Sequence, residues 1–141
     1  NYAEALNEST GPSTEVYDAL NLIRHRAGVP TVEDAWSNAS NAITVNKHLT
    51  QEGLREIIQQ ERSIELAFEA HRYYDIRRWK LADKYFTTPI KGWSVNEDSE
   101  ANYYQIRDVG QRSFNSPRDY LQPISFTELS RNPNLIQNPG W

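Results

Sequence analysis

Apolar residues recur at helical spacing in two stretches of the chain, and outside them the spacing dissolves. Val16, Ala19, Leu20, Ile23 and Ala27 fall at i, i+3, i+4, i+7 and i+11, which is one face of a helix. Ser13 stands at the N-cap position with Glu15 in the first turn, where an acid suits the helix dipole. Gly28 and Pro30 stop the pattern just after Arg24, His25 and Arg26. Ahead of the Gly11-Pro12 break, Tyr2 and Leu6 lie one turn apart. The spacing predicts helices over 1–8 and 14–27, joined as an αα-hairpin.

In the second stretch Leu54, Ile57, Ile58, Ile64 and Phe68 share a face behind Thr50, an N-cap candidate, and Ile76 and Trp79 carry an apolar face on towards Lys84. One helix of that length is unusual in a globular domain, so a break is expected near Ala70-His71. Residues 31–49 are polar and Asn-rich, with Thr31 and Asp34 spaced as a capping box ahead of Trp36. Residues 85–119 mix charges and rings with Pro89, Gly92, Gly110 and Pro117, and only a short strand such as Tyr103–Arg107 is expected there. Leu121–Ile124 reads as extended. Ser125 with Glu128 reads as a capping box, and Asn132-Pro133 and Asn138-Pro139-Gly140 as irregular chain. The fold class is mainly α, with a helix hairpin over 1-30, a long charged helical segment over 50-84 and a loop-rich region over 85-141.

Composition narrows the chemistry. The 141 residues carry 15 Lys+Arg against 19 Asp+Glu, a net charge of -4, and include no Cys and no Met. Disulfides, thiolate metal sites and thiol nucleophiles are excluded. An acidic chain is poorly suited to nucleic acid, whose affinity comes from Lys and Arg on phosphates. His25, His48 and His71 have no mutual metal-ligand spacing, so no metal and no cofactor is expected. The absence of Met leads to the expectation that the chain is part of a longer one.

Acids and bases crowd the segment Glu61–Lys80. Glu61 and Glu65 fall on or beside the apolar face, where carboxylates are costly unless paired. One reading makes them a glycosidase pair, which requires carboxyls about 5 Å or about 6.5–9.5 Å apart across a sugar. The other makes Glu61, Arg62, Glu65, Arg72, Asp75, Arg77 and Arg78 a structural ion-pair network, with Arg72 among the cations holding the carboxylates. Trp36, Trp93, Tyr103 and Tyr104 sit in polar or irregular stretches, where flat rings either tuck onto the domain or stack on sugar faces.

Three blocks carry a family resemblance: Leu20 to Pro30 around Arg24-His25-Arg26-Ala27-Gly28; Glu61-Arg62 through Glu65-Leu66-Ala67-Phe68-Glu69 to Arg72 and Asp75–Trp79; and the tail Pro123-Ile124, Glu128-Leu129, Asn132-Pro133-Asn134-Leu135 and Gln137–Trp141. The chain resembles the C-terminal portion of the SusD/RagB family of nutrient-binding outer-membrane lipoproteins. Ala70 departs from the pattern, since the family commonly has Gly there. The resemblance implies a C-terminal fragment of a mainly helical fold with tetratricopeptide-like helix pairs and long irregular loops. It implies a lipid anchor upstream, the extracellular face of the outer membrane, and a SusC-like TonB-dependent transporter as partner. It also implies capture of a glycan or similar nutrient without catalysis. The blocks are scaffold, so the stacking candidates rest on loop context and ring chemistry alone: Trp93, Tyr103, Tyr104 and Trp36. Two rivals stay open: a helical protein-interaction module without glycan binding of its own, and a glycoside hydrolase using Glu61 and Glu65.

Overall fold

The computed structural model describes residues 1–40 and 42–141. It is mainly helical and divides into two compact units, Asn1–Glu69 and Ala70–Trp141.

In the first unit α1 (Tyr2–Thr10) and α2 (Thr14–Arg26) form the hairpin expected from the spacing. Helix α3 (Val32–Ser37), a 3-10 turn (Lys47–Leu49) and α4 (Gln51–Glu65) follow. Val16, Leu20, Val32, Leu54, Ile57 and Ile58 close one apolar core, flanked by Leu6, Tyr17 and Trp36. Two of the expected caps form through hydroxyls: Asp34 N donates to Thr31 Oγ1 and Gly53 N to Thr50 Oγ1, both at 3.1 Å. Ser13 and Ser125 precede helices without side-chain capping bonds. Gly53 has no room for a side chain, because a Cβ there would lie 2.0 Å from the Lys47 carbonyl oxygen. This close approach seats the 3-10 turn on the first turn of α4.

Side-chain amides, Asn7 and Asn21 among them buried, stitch these helices together. Asn7 Nδ2 donates to the Gln51 carbonyl at 3.0 Å, and Gln51 Nε2 returns a bond to the Asn7 carbonyl at 2.6 Å. Asn21 accepts from Val32 N and donates to Glu33 Oε2, both at 2.9 Å, pinning α3 to α2.

The apolar face of α4 stops earlier than its spacing predicts. Ile64 is 62% exposed and Phe68 fully exposed. The face continues instead through half-buried Glu61 and Glu65, and the chain has left the helix before Phe68, whose φ is 67°.

The second unit opens at Ala70, a left-handed residue (φ 62°) that caps α5 (His71–Arg78). Glycine adopts that conformation without steric cost, whereas the alanine Cβ meets strain there. Helix α6 (Ala82–Thr87), strand β1 (Ile90–Trp93), α7 (Glu100–Tyr103), β2 (Ile106–Gly110), a second 3-10 turn (Arg118–Tyr120) and α8 (Phe126–Arg131) complete it. β1 and β2 pair antiparallel, with Trp93 opposite Ile106 and Gly92 opposite Arg107. The strand expected from Tyr103 begins only at Ile106, because Tyr103 is the last residue of α7.

Candidate functional site

The β1–β2 connection gathers three rings. Trp93 ends β1, while Tyr103 and Tyr104 close α7. Ser99 starts α7 by accepting from Tyr103 N at 2.8 Å. Ser94, buried between the two ends of the loop, draws them together. Its N–H donates to the Tyr103 carbonyl at 3.1 Å and its hydroxyl to the Gln105 carbonyl at 3.2 Å. Arg107 and Glu97 brace the loop from outside with an ion pair at 3.1 Å.

The rings meet edge to face. Trp93 and Tyr104 have centroids 5.1 Å apart, Tyr103 and Tyr104 5.2 Å, and Trp93 and Tyr103 6.0 Å. Such contacts hold each ring through its neighbours' edges. Trp93 is 52% exposed and Tyr104 57%, and Tyr103 is half-buried beneath them. The result is a presented aromatic surface on a braced loop. Trp36 sits differently: it lies in the first unit, packs against the apolar core, and carries Lys47 Nζ 5.5 Å from its ring centroid.

The charged residues divide between the units. Glu61 pairs with Arg24, and Glu65 with Arg26, both from the end of α2. Arg24 is further fixed by donating from Nε to the Pro30 carbonyl at 2.6 Å. Arg62 donates to Asn1 Oδ1 at 2.8 Å. In the second unit Asp75 is buried and accepts from Arg78 Nε at 2.9 Å. Within the second unit the Arg72 guanidinium lies 4.5 Å over the Tyr85 ring. Arg77 lies 4.3 Å over Tyr73. The cations for both carboxylates come from α2, which no local pattern announces. Glu61 and Glu65 also line a hollow of about 270 Å³ with Tyr2, Ala19, Leu20 and Ile23. Each enters it already paired with an arginine from α2.

Three further groups were not singled out by the sequence. Tyr120 reaches across from the second 3-10 turn to cap α6: its hydroxyl accepts from Ala82 N at 3.1 Å and donates to Asp83 Oδ1 at 2.6 Å. That hydrogen bond holds the Asp83 carboxyl below its ordinary range, and partial burial together with Asp83 raises the Tyr120 phenol. Gln137 pairs with both backbone groups of Ile124 at 2.8 and 3.0 Å. Ser94 carries no signal beyond being a small polar residue after a tryptophan.

Comparison with known proteins fixes the lineage of this fold. The model of the SusD family matches residues 1–141, and the chain belongs to that family. It is 38% identical over 140 residues to SusD-like protein P2 of Formosa agariphila, covering 99% of this chain and 23% of that protein. SusD-like protein P25 of the same organism is 31% identical over 137 residues, 96% of this chain and 21% of the relative. The chain thus spans about a quarter of the length of these relatives. A solved SusD-like protein from Bacteroides fragilis superposes with a TM-score of 0.74 at 32% identity, over 99% of this chain and 23% of its own. A SusD-like carbohydrate binding protein from the same species gives 0.66 at 34%, over 96% and 26%. The mainly helical, tetratricopeptide-like class expected from the resemblance is the class of these structures.

Proposed function

We propose that the protein to which this chain belongs binds a glycan or related nutrient at the cell surface, without catalysis. The carrying observation is the set of three rings at Trp93, Tyr103 and Tyr104, two of them half or more exposed and all held by the Ser94 clamp. The apolar C–H face of a pyranose matches such rings, and a pre-positioned ring loses little freedom on binding. The similarity to a SusD-like carbohydrate binding protein supports the same reading. In this proposal the protein hands its ligand to a SusC-like TonB-dependent transporter, from the extracellular face of the outer membrane, where an upstream lipid anchors it.

Trp93→Ala should weaken binding of the preferred oligosaccharide roughly tenfold, the loss of about 1.4 kcal/mol of stacking. Calorimetric titration across a glycan panel measures it, and unchanged affinity would remove the platform from the site. The unsubstituted protein should leave glycans intact and Glu65→Gln should bind them equally well, whereas a hydrolase would cleave them and lose that cleavage in Glu65→Gln. Pull-down of the transporter in the absence of glycan separates the reading from a module that recognises protein alone.

A further inference from the structure

A second recess lies in the same unit, and its chemistry differs from that of the ring platform. A cavity of about 390 Å³ is lined by Arg77, Phe86, Arg112, Phe114, Asp119 and Trp141. Arg77 enters it from α5. One face of its guanidinium stacks on Tyr73 at 4.3 Å, and the Phe114 centroid lies 6.0 Å away. Its Nε is buried and has no hydrogen-bond acceptor among the described residues. Arg112 lies 5.3 Å over the Phe86 ring and, like Arg77, makes no ion pair among the described residues.

Buried donors on a charged group almost always find an acceptor, and with none among the described residues the Arg77 charge is left for a group in the recess to balance. The one carboxylate in the lining does not serve. Asp119 Oδ1 accepts from Arg118 Nε at 2.7 Å, and its Oδ2 accepts from Asn115 N at 2.7 Å. Those bonds hold its carboxyl below the ordinary range, with a smaller contribution from the nearby charge of Arg77. With Asp119 balanced by Arg118, the recess retains the two positive charges of Arg77 and Arg112. Its other walls are flat: Phe86, Phe114 and Trp141, the last fixed by donating from Nε1 to the Arg118 carbonyl at 3.1 Å.

We propose that this recess is a subsite for an acidic sugar unit, a hexuronate whose carboxylate meets Arg77 and Arg112 while its ring packs on the aromatic walls. A planar carboxylate matches the guanidinium fork, and aromatic walls favour a ring-borne anion over a bare inorganic one. The inference rests on the reading of the protein as a glycan binder and adds to it a preference for charge. The ring platform recognises sugar faces and this recess the anionic substituent.

Calorimetric titration of the protein with a hexuronate oligosaccharide, its methyl ester and the matching neutral oligosaccharide tests it. The acid should bind roughly tenfold more tightly than its ester, and the preference should shrink with added salt. Arg112→Gln, at an exposed side chain, should abolish that preference and leave the neutral sugar's affinity unchanged. Arg77→Gln should do the same, with circular dichroism checking its fold. Equal affinity for acid and ester would overturn the subsite while leaving the glycan reading standing, provided that Trp93→Ala still weakens the neutral sugar. Equal gain from a sulfated neutral sugar, or from an acidic peptide lacking sugar, would overturn the hexuronate assignment. Failure of every glycan to bind would overturn both.

Discussion

The two units are built on different physics. The first buries six aliphatic side chains in one cluster, and its helices are placed by that burial. Among the described residues of the second, only Ile76 and Ala82 are buried apolar side chains, beside buried Asp75 and Ser94. There the work passes to edge-to-face rings such as Phe114–Tyr120 at 4.8 Å, to arginines lying over aromatic faces, and to side chains that bond backbone at long range. Aliphatic burial is non-directional and tolerant, whereas ring edges and hydrogen bonds depend on angle. The second unit therefore gives up some packing in exchange for defined surfaces, and both candidate sites lie in it.

The sharpest way to break the contrast is a substitution at a close approach in the first unit. Gly53→Ala drives a Cβ into the Lys47 carbonyl and should cost about 3 kcal/mol in a denaturant melt. A cost near zero would mean that the 3-10 turn moves freely away from α4. Next comes Arg24→Ala, which strands the largely covered Glu61 carboxylate and frees the Pro30 carbonyl, for about 2 kcal/mol. In the second unit Tyr120→Phe leaves the buried Ala82 N–H without its cap, for about 1 kcal/mol. Arg72→Ala removes only a ring contact and should cost less than about 1 kcal/mol.

Acid sharpens the same comparison. Asp83, Asp119 and Glu8 all have carboxyls lowered by their partners Tyr120, Arg118 and Arg55. A depressed folded value means that the stabilisation is present above the unfolded value, about 3.9 for Asp, and is lost as pH falls through the folded one. Thermal melts taken from about pH 5 down to about pH 2 should fall, and Tyr120→Phe should flatten that fall by releasing Asp83. An unchanged acid limb in the variant would show that the Tyr120 bond does not act on Asp83.

Legibility in the sequence follows the same division. Val16, Leu20, Leu54, Ile57 and Ile58 announced themselves because burial in a helix repeats at a fixed interval. Ile64 and Phe68 kept the interval yet lie exposed, since the backbone turns and two arginines from α2 claim the face through Glu61 and Glu65. The rings at Trp93, Tyr103 and Tyr104 could be named by type and loop context. Their convergence could not, because it depends on a hairpin register and on two bonds from Ser94. Arg77 read as one charge among many; that its Nε lacks an acceptor among the described residues is a fact of three-dimensional packing alone.

Gln137 also shields backbone from solvent. Its amide supplies Ile124 with both a donor and an acceptor, as a neighbouring strand would, while Asn138 Nδ2 holds the Gln122 carbonyl at 2.6 Å. Hydrogen–deuterium exchange should accordingly find the Ile124 amide slow in a stretch with no sheet around it. Hydrolysis of the Gln137 amide to a carboxylate would remove the donor and set a negative charge against the Ile124 carbonyl. A one-dalton change at this side chain would thus loosen the tail from Ile124.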